Sequence, residues 1–232
     1  MGNGKVILVL GGARSGKSSF AEKLASTAPV DPKSGLLEIS YIATAKRSDA
    51  EMTARIERHV LDRDTNANVP TTIASKFIPL LNASATSVKN ISWKTIECQA
   101  NLSQVSLPAT ASVVIVDCLT IWLSNWMGTL GWPADETIDD EAVAWADKVD
   151  VTARKEMNSF LDRMTSEGRT VILVANEVGL GMVPNGKISR YFRDTLGRVN
   201  QDIGRRKDTE RVYWMVAGFG LDIKKMSQEA TL

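Results

Sequence analysis

Short apolar runs alternate with segments of helical periodicity along most of the chain. The runs are rich in β-branched residues and are bounded by glycine or polar residues, which is typical of buried strands. They occupy residues 6–10, 37–43, 113–117, 170–175 and 211–217. The alternation with helical segments predicts an α/β fold with a mostly parallel sheet and helices on both faces. The final residues, after Gly218-Phe219-Gly220, are predicted to be a frayed tail.

Helical segments are predicted between these strands. One begins directly after the first strand, one at residue 48, and a covered one follows at 118–126. A long amphipathic helix is expected after an acidic loop at 135–140, with an inward stripe that includes Val143 and Val149. Residues 187–207 form the last predicted helix, with Leu196 and Val199 facing inward.

The first predicted strand leads into the turn Gly11-Gly12-Ala13-Arg14-Ser15-Gly16-Lys17-Ser18. This fits G-x-x-x-x-G-K-[ST], the phosphate-binding loop (P-loop) of nucleotide enzymes, with the required strand before it and helix after it. Glycines let backbone amides converge on phosphate oxygens, and the helix N-terminus adds partial positive charge. We expect Lys17 to reach the β- and γ-phosphates and Ser18 to bind Mg²⁺. The alternative is an ordinary tight strand–helix connection.

Polar residues at the carboxyl ends of two other predicted strands are candidates for the same ligand. Thr44 follows the strand at 37–43, and Asp117 ends the strand at 113–117. Because such strand ends face the ligand crevice of a parallel sheet, Thr44 is a candidate nucleotide contact. An aspartate in the position of Asp117 holds Mg²⁺ in P-loop enzymes. The alternative for Asp117 is that it caps the next turn.

A basic stripe is predicted on the helix that begins near residue 48. Arg55, His59 and Arg63 recur every four residues and therefore share one side of that helix. The two arginines are suited to binding a polyphosphate, and their charge disfavours protonation of the imidazole between them. The spacing alone fits a solvated basic face with an incidental histidine at least as well. Both interpretations remain open at this point.

Residues 64–90 differ in character from the rest of the chain. They are rich in Thr, Ser, Ala and Asn around a short apolar island, which predicts an inserted loop. Order is expected to resume at Trp93. We expect residues 1–232 to form a single domain that carries this insertion.

Composition narrows the functional classes. The 232-residue chain has a net charge of +1, which argues against a nucleic-acid partner. Cys98 and Cys118 fit neither a disulfide framework nor a zinc pattern, and Cys118 is expected to be a small buried side chain. No 18-residue apolar span and no signal peptide are found. We therefore expect a cytoplasmic protein without stable membrane insertion.

Several motifs occur together with the P-loop, in an order that covers nearly the whole chain. They are Tyr41-Ile42-Ala43-Thr44; Glu51-Met52 with Arg55-Ile56 and His59; Trp93-Lys94-Thr95-Ile96-Glu97; Val116-Asp117-Cys118-Leu119-Thr120 with Trp122-Leu123 and Asn125; Asn176-Glu177-Val178-Gly179 through Val183-Pro184; and Phe192-Arg193-Asp194 with Gly197 and Asn200-Gln201. This set resembles the bifunctional adenosylcobinamide kinase / adenosylcobinamide-phosphate guanylyltransferase family of cobalamin synthesis. The P-loop alone is generic, whereas the Arg-Ile-x-x-His and Asn-Glu-Val-Gly blocks are far more specific.

The resemblance implies two reactions on a RecA-like P-loop NTPase fold. In the first, ATP or GTP phosphorylates the aminopropanol hydroxyl of adenosylcobinamide. In the second, GMP from GTP is attached to that phosphate through a GMP–histidine intermediate. His59 occupies the position of the family's histidine, so the resemblance favours a nucleophile over an incidental residue. It also implies a homotrimer.

The resemblance further implies which residues contact the nucleotide. Besides Gly11–Ser18, the matching positions are Ala43, Thr44, Ala45, Arg63, Glu97 and Asp117. We infer from chemistry that the Glu97 carboxylate accepts hydrogen bonds from guanine N1–H and N2–H₂. The chain departs from the family pattern at residues 64–90, where relatives have a much shorter connection, which makes the positions of Arg63 and Glu97 less secure.

Two other functional classes compete with this interpretation. A single-function P-loop kinase of another small alcohol would use Lys17, Ser18 and Asp117 in the same way but would not need His59. A RecA-like nucleic-acid-binding module would share the fold. The near-zero net charge and the lack of an aromatic–basic stripe oppose that second class.

Overall fold

The computed structural model describes residues 4–46, 90–133 and 139–230. Strands and helices alternate through these three ranges. The elements are β1 (Lys5–Gly11), α1 (Lys17–Ser26), β2 (Leu36–Ala43), β3 (Asn90–Glu97), β4 (Val113–Asp117), α2 (Leu119–Thr129), α3 (Asp139–Ser166), β5 (Thr170–Asn176), α4 (Lys187–Arg205), β6 (Thr209–Val216), β7 (Phe219–Asp222) and α5 (Ile223–Glu229), with a short 3₁₀ turn at Leu102–Gln104.

The strands of the described ranges form one seven-stranded sheet in the order β3-β2-β4-β5-β1-β6-β7. Every neighbouring pair is parallel except β6 and β7, which are antiparallel. β1 lies inside the sheet between β5 and β6. The predicted α/β class with a mostly parallel sheet is therefore confirmed.

Alternate residues of each central strand feed two separate cores, because successive side chains of a strand point to opposite faces. In β1, Val6 and Leu8 pack into the core beneath α2, α3 and α4. Ile7 and Val9 pack into the other core, which α1 covers with Leu24 and its alanines. Helices on both faces are confirmed, and this explains why the middle positions of β1, β4 and β5 are apolar.

The prediction of a frayed tail is wrong. Residues 219–229 form strand β7 and helix α5. The Asp222 carboxylate caps α5 by accepting a 3.1 Å hydrogen bond from the Lys225 N–H, and it also pairs with Arg211 at 2.8 Å. Lys224 reaches back to backbone carbonyls before β6, including Gly204 O at 3.1 Å. These polar contacts hold an element that buries no complete side chain.

Two further boundaries and one inward-facing residue differ from the predictions. β3 begins at Asn90, within the predicted insertion and before Trp93. α3 begins at Asp139, within the predicted acidic loop. Val143 is 47% exposed and lies off the inward stripe, whereas Val149 is buried. The helix predicted from residue 48 and residues 64–89 of the insertion lie outside the described ranges.

Candidate active site

The P-loop connects β1 to α1 as its sequence predicts. Gly16 is the N-cap of α1 with φ 91°, and Arg14 has φ 55°, so the loop turns through left-handed backbone at two positions. Gly12, Ala13 and Arg14 are exposed, and Ser18 in the first turn of the helix is half-buried. Gly16 has no side chain to cap the helix, and the first turn of α1 holds no acidic residue. The loop and the helix N-terminus therefore present an electropositive backbone suited to phosphate.

The Lys17 ammonium lies within the P-loop. Its Nζ donates to the Gly12 carbonyl oxygen at 2.6 Å and to Ser15 Oγ at 3.4 Å. The residue is only 7% exposed. A buried cation at this position is available to phosphate oxygens that enter the same loop.

Neighbouring strands fix the shape of the P-loop. A Cβ atom added to Gly11 would lie 2.5 Å from the Met215 carbonyl oxygen of β6, so this position admits only glycine. The Gly11 carbonyl accepts a 3.0 Å hydrogen bond from the Glu177 N–H, and the Ser15 carbonyl accepts one of 3.0 Å from the Gly218 N–H. The loop is held by the chain that follows β5 and by the β6–β7 turn.

Three predicted nucleotide contacts lie in one row across the sheet. Ala43 at the end of β2 pairs with Glu97 at the end of β3 and with Asp117 at the end of β4. Ala43 is buried, Asp117 is half-buried and Glu97 is exposed. All three lie at the carboxyl edge, where ligands bind in open parallel sheets.

The Asp117 carboxylate is oriented by a tyrosine on the next strand. Tyr41 Oη donates to Asp117 Oδ2 at 2.7 Å, and Tyr41 is 4% exposed. Tyr41 belongs to the core that α1 covers, so Asp117 faces the same side of the sheet as Lys17 and Ser18. The loop lysine, the loop serine and the strand-end carboxylate therefore share one side of the sheet.

Thr44, which follows β2, is hydrogen-bonded to the backbone of Cys118, which follows β4. It is fully buried, and its Oγ1 donates to Cys118 O at 2.9 Å and accepts from Cys118 N at 2.8 Å. Its carbonyl accepts a 2.9 Å bond from Asn125 Nδ2 of α2. The Thr44 hydroxyl therefore already makes two hydrogen bonds within the protein. A nucleotide contact through Thr44 stays a prediction. Ala45, next along the chain, is half-buried.

Comparison with known proteins gives this site its context. The family model described as cobinamide kinase / cobinamide phosphate guanyltransferase matches residues 7–81 and 83–223. The chain belongs to this family. It is a transferase family, and the match includes the P-loop, the Asp117 strand end and the β5–α4 loop.

Curated relatives of the family match along nearly their whole lengths. The bifunctional adenosylcobalamin biosynthesis protein CobU of Salmonella typhimurium is 32% identical, with 94% of this chain and 99% of that protein covered. The protein of the same description named CobP, from Pseudomonas aeruginosa, is 33% identical over 94% of this chain and 96% of its own length. The flagellar accessory protein FlaH of Methanocaldococcus jannaschii is 12% identical, with 92% of this chain and 72% of that protein covered and a TM-score of 0.43.

The donors on the α1 side of the sheet fit a magnesium ion of the kind that a family kinase implies. Mg²⁺ prefers hard oxygen ligands and is commonly held by one or two protein groups together with substrate phosphates and water. The Ser18 hydroxyl and the Asp117 carboxylate provide that chemistry. No cluster of three or more His, Cys, Asp or Glu side chains suited to a metal is found among the described residues.

Two predicted site residues, His59 and Arg63, lie outside the described residues, as does Arg55. Their roles stay predictions for this family member. Among the described residues, sequence reasoning missed the contact between Tyr41 and Asp117. One signal was available: Tyr41 lies two residues before Ala43, on the same face of β2, and a buried tyrosine hydroxyl usually needs a partner.

No described helix is both long and apolar enough to cross a membrane.

Proposed function

We propose that this family member phosphorylates adenosylcobinamide with ATP or GTP and then transfers GMP from GTP to the resulting phosphate, giving adenosylcobinamide-GDP. The observation that carries the proposal is the P-loop with Lys17 inside it, in a chain that the family model matches over residues 7–81 and 83–223. Both reactions require a bound triphosphate, and the same loop would bind it in both.

In the kinase step the acceptor hydroxyl attacks the γ-phosphorus. The bond from the γ-phosphorus to its bridging oxygen breaks, and the nucleoside diphosphate leaves. Lys17 and the amides of the P-loop stabilise the negative charge that develops on the phosphoryl oxygens and the leaving group. Positioning and electrostatic stabilisation account for most of the catalysis in such transfers.

Mg²⁺ would be held by the Ser18 hydroxyl and the Asp117 carboxylate, directly or through water. When bound, it would neutralise charge on the phosphates. Support for this assignment comes from the common side of the sheet that Ser18 and Asp117 share and from the Tyr41 hydrogen bond that orients the carboxylate.

In the guanylyl transfer, His59 acts as nucleophile. An imidazole nitrogen attacks the α-phosphorus of GTP, the bond to the β-phosphate oxygen breaks and pyrophosphate leaves. A phosphate oxygen of adenosylcobinamide phosphate then attacks the phosphoramidate, the P–N bond breaks and the histidine is restored. Splitting one displacement into two in this way is the ordinary benefit of covalent catalysis.

Nucleotide selection is assigned to residues near the same edge of the sheet. We assign guanine recognition to Glu97, whose exposed position in the Ala43 row leaves it accessible to a base. Arg63 is assigned to the phosphates. The family resemblance further suggests a homotrimer, which sedimentation would test. Cell fractionation would test the cytoplasmic location that we expect from the sequence.

The deciding experiment is incubation with GTP labelled at the α-phosphate, followed by acid or hydroxylamine treatment. We expect a covalent label that acid and hydroxylamine remove, because a phosphoramidate is sensitive to both. In His59→Ala the label should disappear while phosphorylation of adenosylcobinamide continues, which shows that the variant is folded. A label that survives this substitution contradicts the assignment of His59. A wild-type protein that phosphorylates adenosylcobinamide but never takes up label would be a single-function kinase.

A further inference from the structure

The turn between β6 and β7 contacts the P-loop directly. The Gly218 N–H donates to the Ser15 carbonyl oxygen at 3.0 Å. A Cβ atom added to Gly16 would lie 3.3 Å from Gly218 Cα, so the two backbones are in close contact. Ala217 and Gly218 both have positive φ, at 50° and 86°, as a type I′ hairpin turn requires. The turn and the phosphate-binding loop therefore meet backbone to backbone.

Strand β7 also packs against the helix that the P-loop begins. A Cβ atom added to Gly220 would lie 3.0 Å from Phe20 Cζ, so β7 approaches α1 closely at a glycine. The Phe20 ring meets the Tyr213 ring of β6 edge-on, with 4.9 Å between the ring centroids. The far end of β7 is fixed by the ion pair of Asp222 with Arg211 at 2.8 Å. The strands that carry the turn are therefore packed on α1, which keeps the turn in place beside the P-loop.

The hydrogen bond to Ser15 fixes the direction of a backbone amide in the P-loop. The Ser15–Gly16 peptide bond is trans, so its carbonyl and its N–H point in opposite directions. Because the carbonyl is held toward Gly218, the Gly16 N–H points away from the β6–β7 turn. Gly16 is the N-cap of α1, and the first N–H groups of a helix have no acceptor within that helix. In the P-loop motif such N–H groups bind phosphate oxygens.

We infer that Gly218 is a positioning residue for triphosphate binding. Its N–H holds the Ser15–Gly16 peptide in the orientation that presents the Gly16 N–H to the phosphates. No atom of Gly218 needs to touch the nucleotide. This inference rests on the proposed function and adds to it a residue outside the P-loop that sets the affinity for the triphosphate.

Position 218 can be substituted without a steric clash. A Cβ atom added to Gly218 would have no heavy atom within 4 Å among the described residues beyond its chain neighbours. A side chain there therefore acts through the backbone alone. Valine strongly disfavours a φ of 86°, whereas asparagine tolerates left-handed backbone. Gly218→Val should turn the N–H away from Ser15, and Gly218→Asn should keep it in place.

The test measures the binding of guanosine 5′-[α,β-methylene]triphosphate with Mg²⁺ by calorimetry, because this analogue cannot guanylylate the protein. We expect Gly218→Val to raise the Kd of the analogue by about tenfold, the effect of losing about one hydrogen bond to a charged group. Gly218→Asn should recover most of that affinity. The KM for adenosylcobinamide at saturating ATP should stay within about twofold in both variants.

Gly35→Val is the matched control. Gly35 has a φ of 66° in the turn before β2, and a Cβ atom added to it would also have no described heavy atom within 4 Å beyond its chain neighbours. This turn lies at the amino edge of the sheet, opposite the P-loop. Both valine variants should lower the melting temperature, because valine is strained at either position. Only Gly218→Val should weaken the binding of the analogue.

The outcomes are distinguishable. An unchanged Kd in Gly218→Val overturns the inference, and so does an equal loss of affinity in Gly35→Val. Equal weakening in Gly218→Asn and Gly218→Val also overturns it, because the backbone conformation is then not the cause. If the wild-type protein binds the analogue but does not phosphorylate adenosylcobinamide, the proposed function fails while the calorimetry still decides the role of Gly218.

Discussion

The carboxylate of Asp117 is oriented by a residue on a neighbouring strand. The Tyr41 hydroxyl donates to it at 2.7 Å from within the core that α1 covers. A group that holds a metal ligand in position affects metal affinity without touching the metal. Tyr41 is therefore a positioning residue for the proposed magnesium site.

Tyr41→Phe removes this hydroxyl and keeps the ring. We expect the Mg²⁺ concentration needed for half-maximal kinase activity to rise by about tenfold, since lost partners of metal ligands typically have effects of this size. Calorimetry of ADP binding at several Mg²⁺ concentrations should show the same shift without turnover. Tyr213→Phe, at another buried tyrosine on this face, is the control. An unchanged Mg²⁺ dependence in Tyr41→Phe would assign the hydroxyl to stability alone.

The raised pKa of Cys118, which follows Asp117 in the chain, leads to a prediction about its reactivity. Burial and, to a smaller extent, the negative charge of Asp117 raise the pKa of the Cys118 thiol above its ordinary value of 9.0. A raised pKa means less thiolate at any given pH, and the thiolate is the form that reacts with alkylating reagents. In Cys98→Ser, we expect slow alkylation of Cys118 by iodoacetamide near neutral pH and faster alkylation in urea. Equal rates in the folded and unfolded protein would contradict this.

At the scale of elements, helix α5 stabilises the end of α4. Lys224 Nζ donates to the carbonyl oxygens of Gly204 at 3.1 Å and Thr209 at 2.5 Å. The carbonyls at a helix C-terminus lack partners within the helix, so a cation here satisfies them and complements the helix dipole. A short helix without a buried face thereby supports a long one.

Lys224→Met should lower the free energy of unfolding by about 1–2 kcal/mol, because charged hydrogen bonds to these carbonyls are lost. Chemical denaturation followed by circular dichroism measures the difference. Lys225→Met is the control: Lys225 faces solvent and its contact with Glu229 is 3.7 Å, so the change should be small. Equal stability of the two variants would mean that the Lys224 contacts contribute nothing net.

Elements were predictable where the core imposes a pattern. The strands at the centre of the sheet are buried on both faces, so their apolar runs were visible in the sequence. β7 has four residues and α5 buries no side chain, so neither carries a periodic signal. They are placed by Lys224, Arg211 and Asp222, whose partners are close in space but are not marked in the sequence. β3 is an edge strand with exposed positions, so its start at Asn90 was equally hard to see.

At the scale of the whole molecule, both proposed reactions depend on one triphosphate site. Lys17→Met keeps the length of the side chain and removes its charge. We expect it to reduce both the kinase activity and the labelling of His59 by about a hundredfold or more, since removal of one group that stabilises developing charge typically has such an effect. Lys23→Met on the same helix is the control. Labelling that persists in Lys17→Met would indicate a second triphosphate site.

The candidate site was predictable only in part. The P-loop was visible because its glycines, lysine and serine must stand between a strand and a helix. The row of Ala43, Glu97 and Asp117 depends on the register between strands, which the linear sequence does not display. The exposure of Leu180, Met182 and Val183 in the β5–α4 loop was hidden for another reason: apolar residues in the sequence look the same whether they are buried or exposed.

The central position of β1 has a consequence for biosynthesis. The P-loop is translated before both neighbours of β1 in the sheet, because β5 and β6 follow it by more than a hundred residues. The Ser15 carbonyl receives its hydrogen bond from Gly218, close to the end of the last parallel strand. A nascent chain on the ribosome therefore cannot complete its phosphate-binding loop until Gly218 has emerged, and a fragment that ends before β5 lacks the hydrogen bonds that hold the loop in shape.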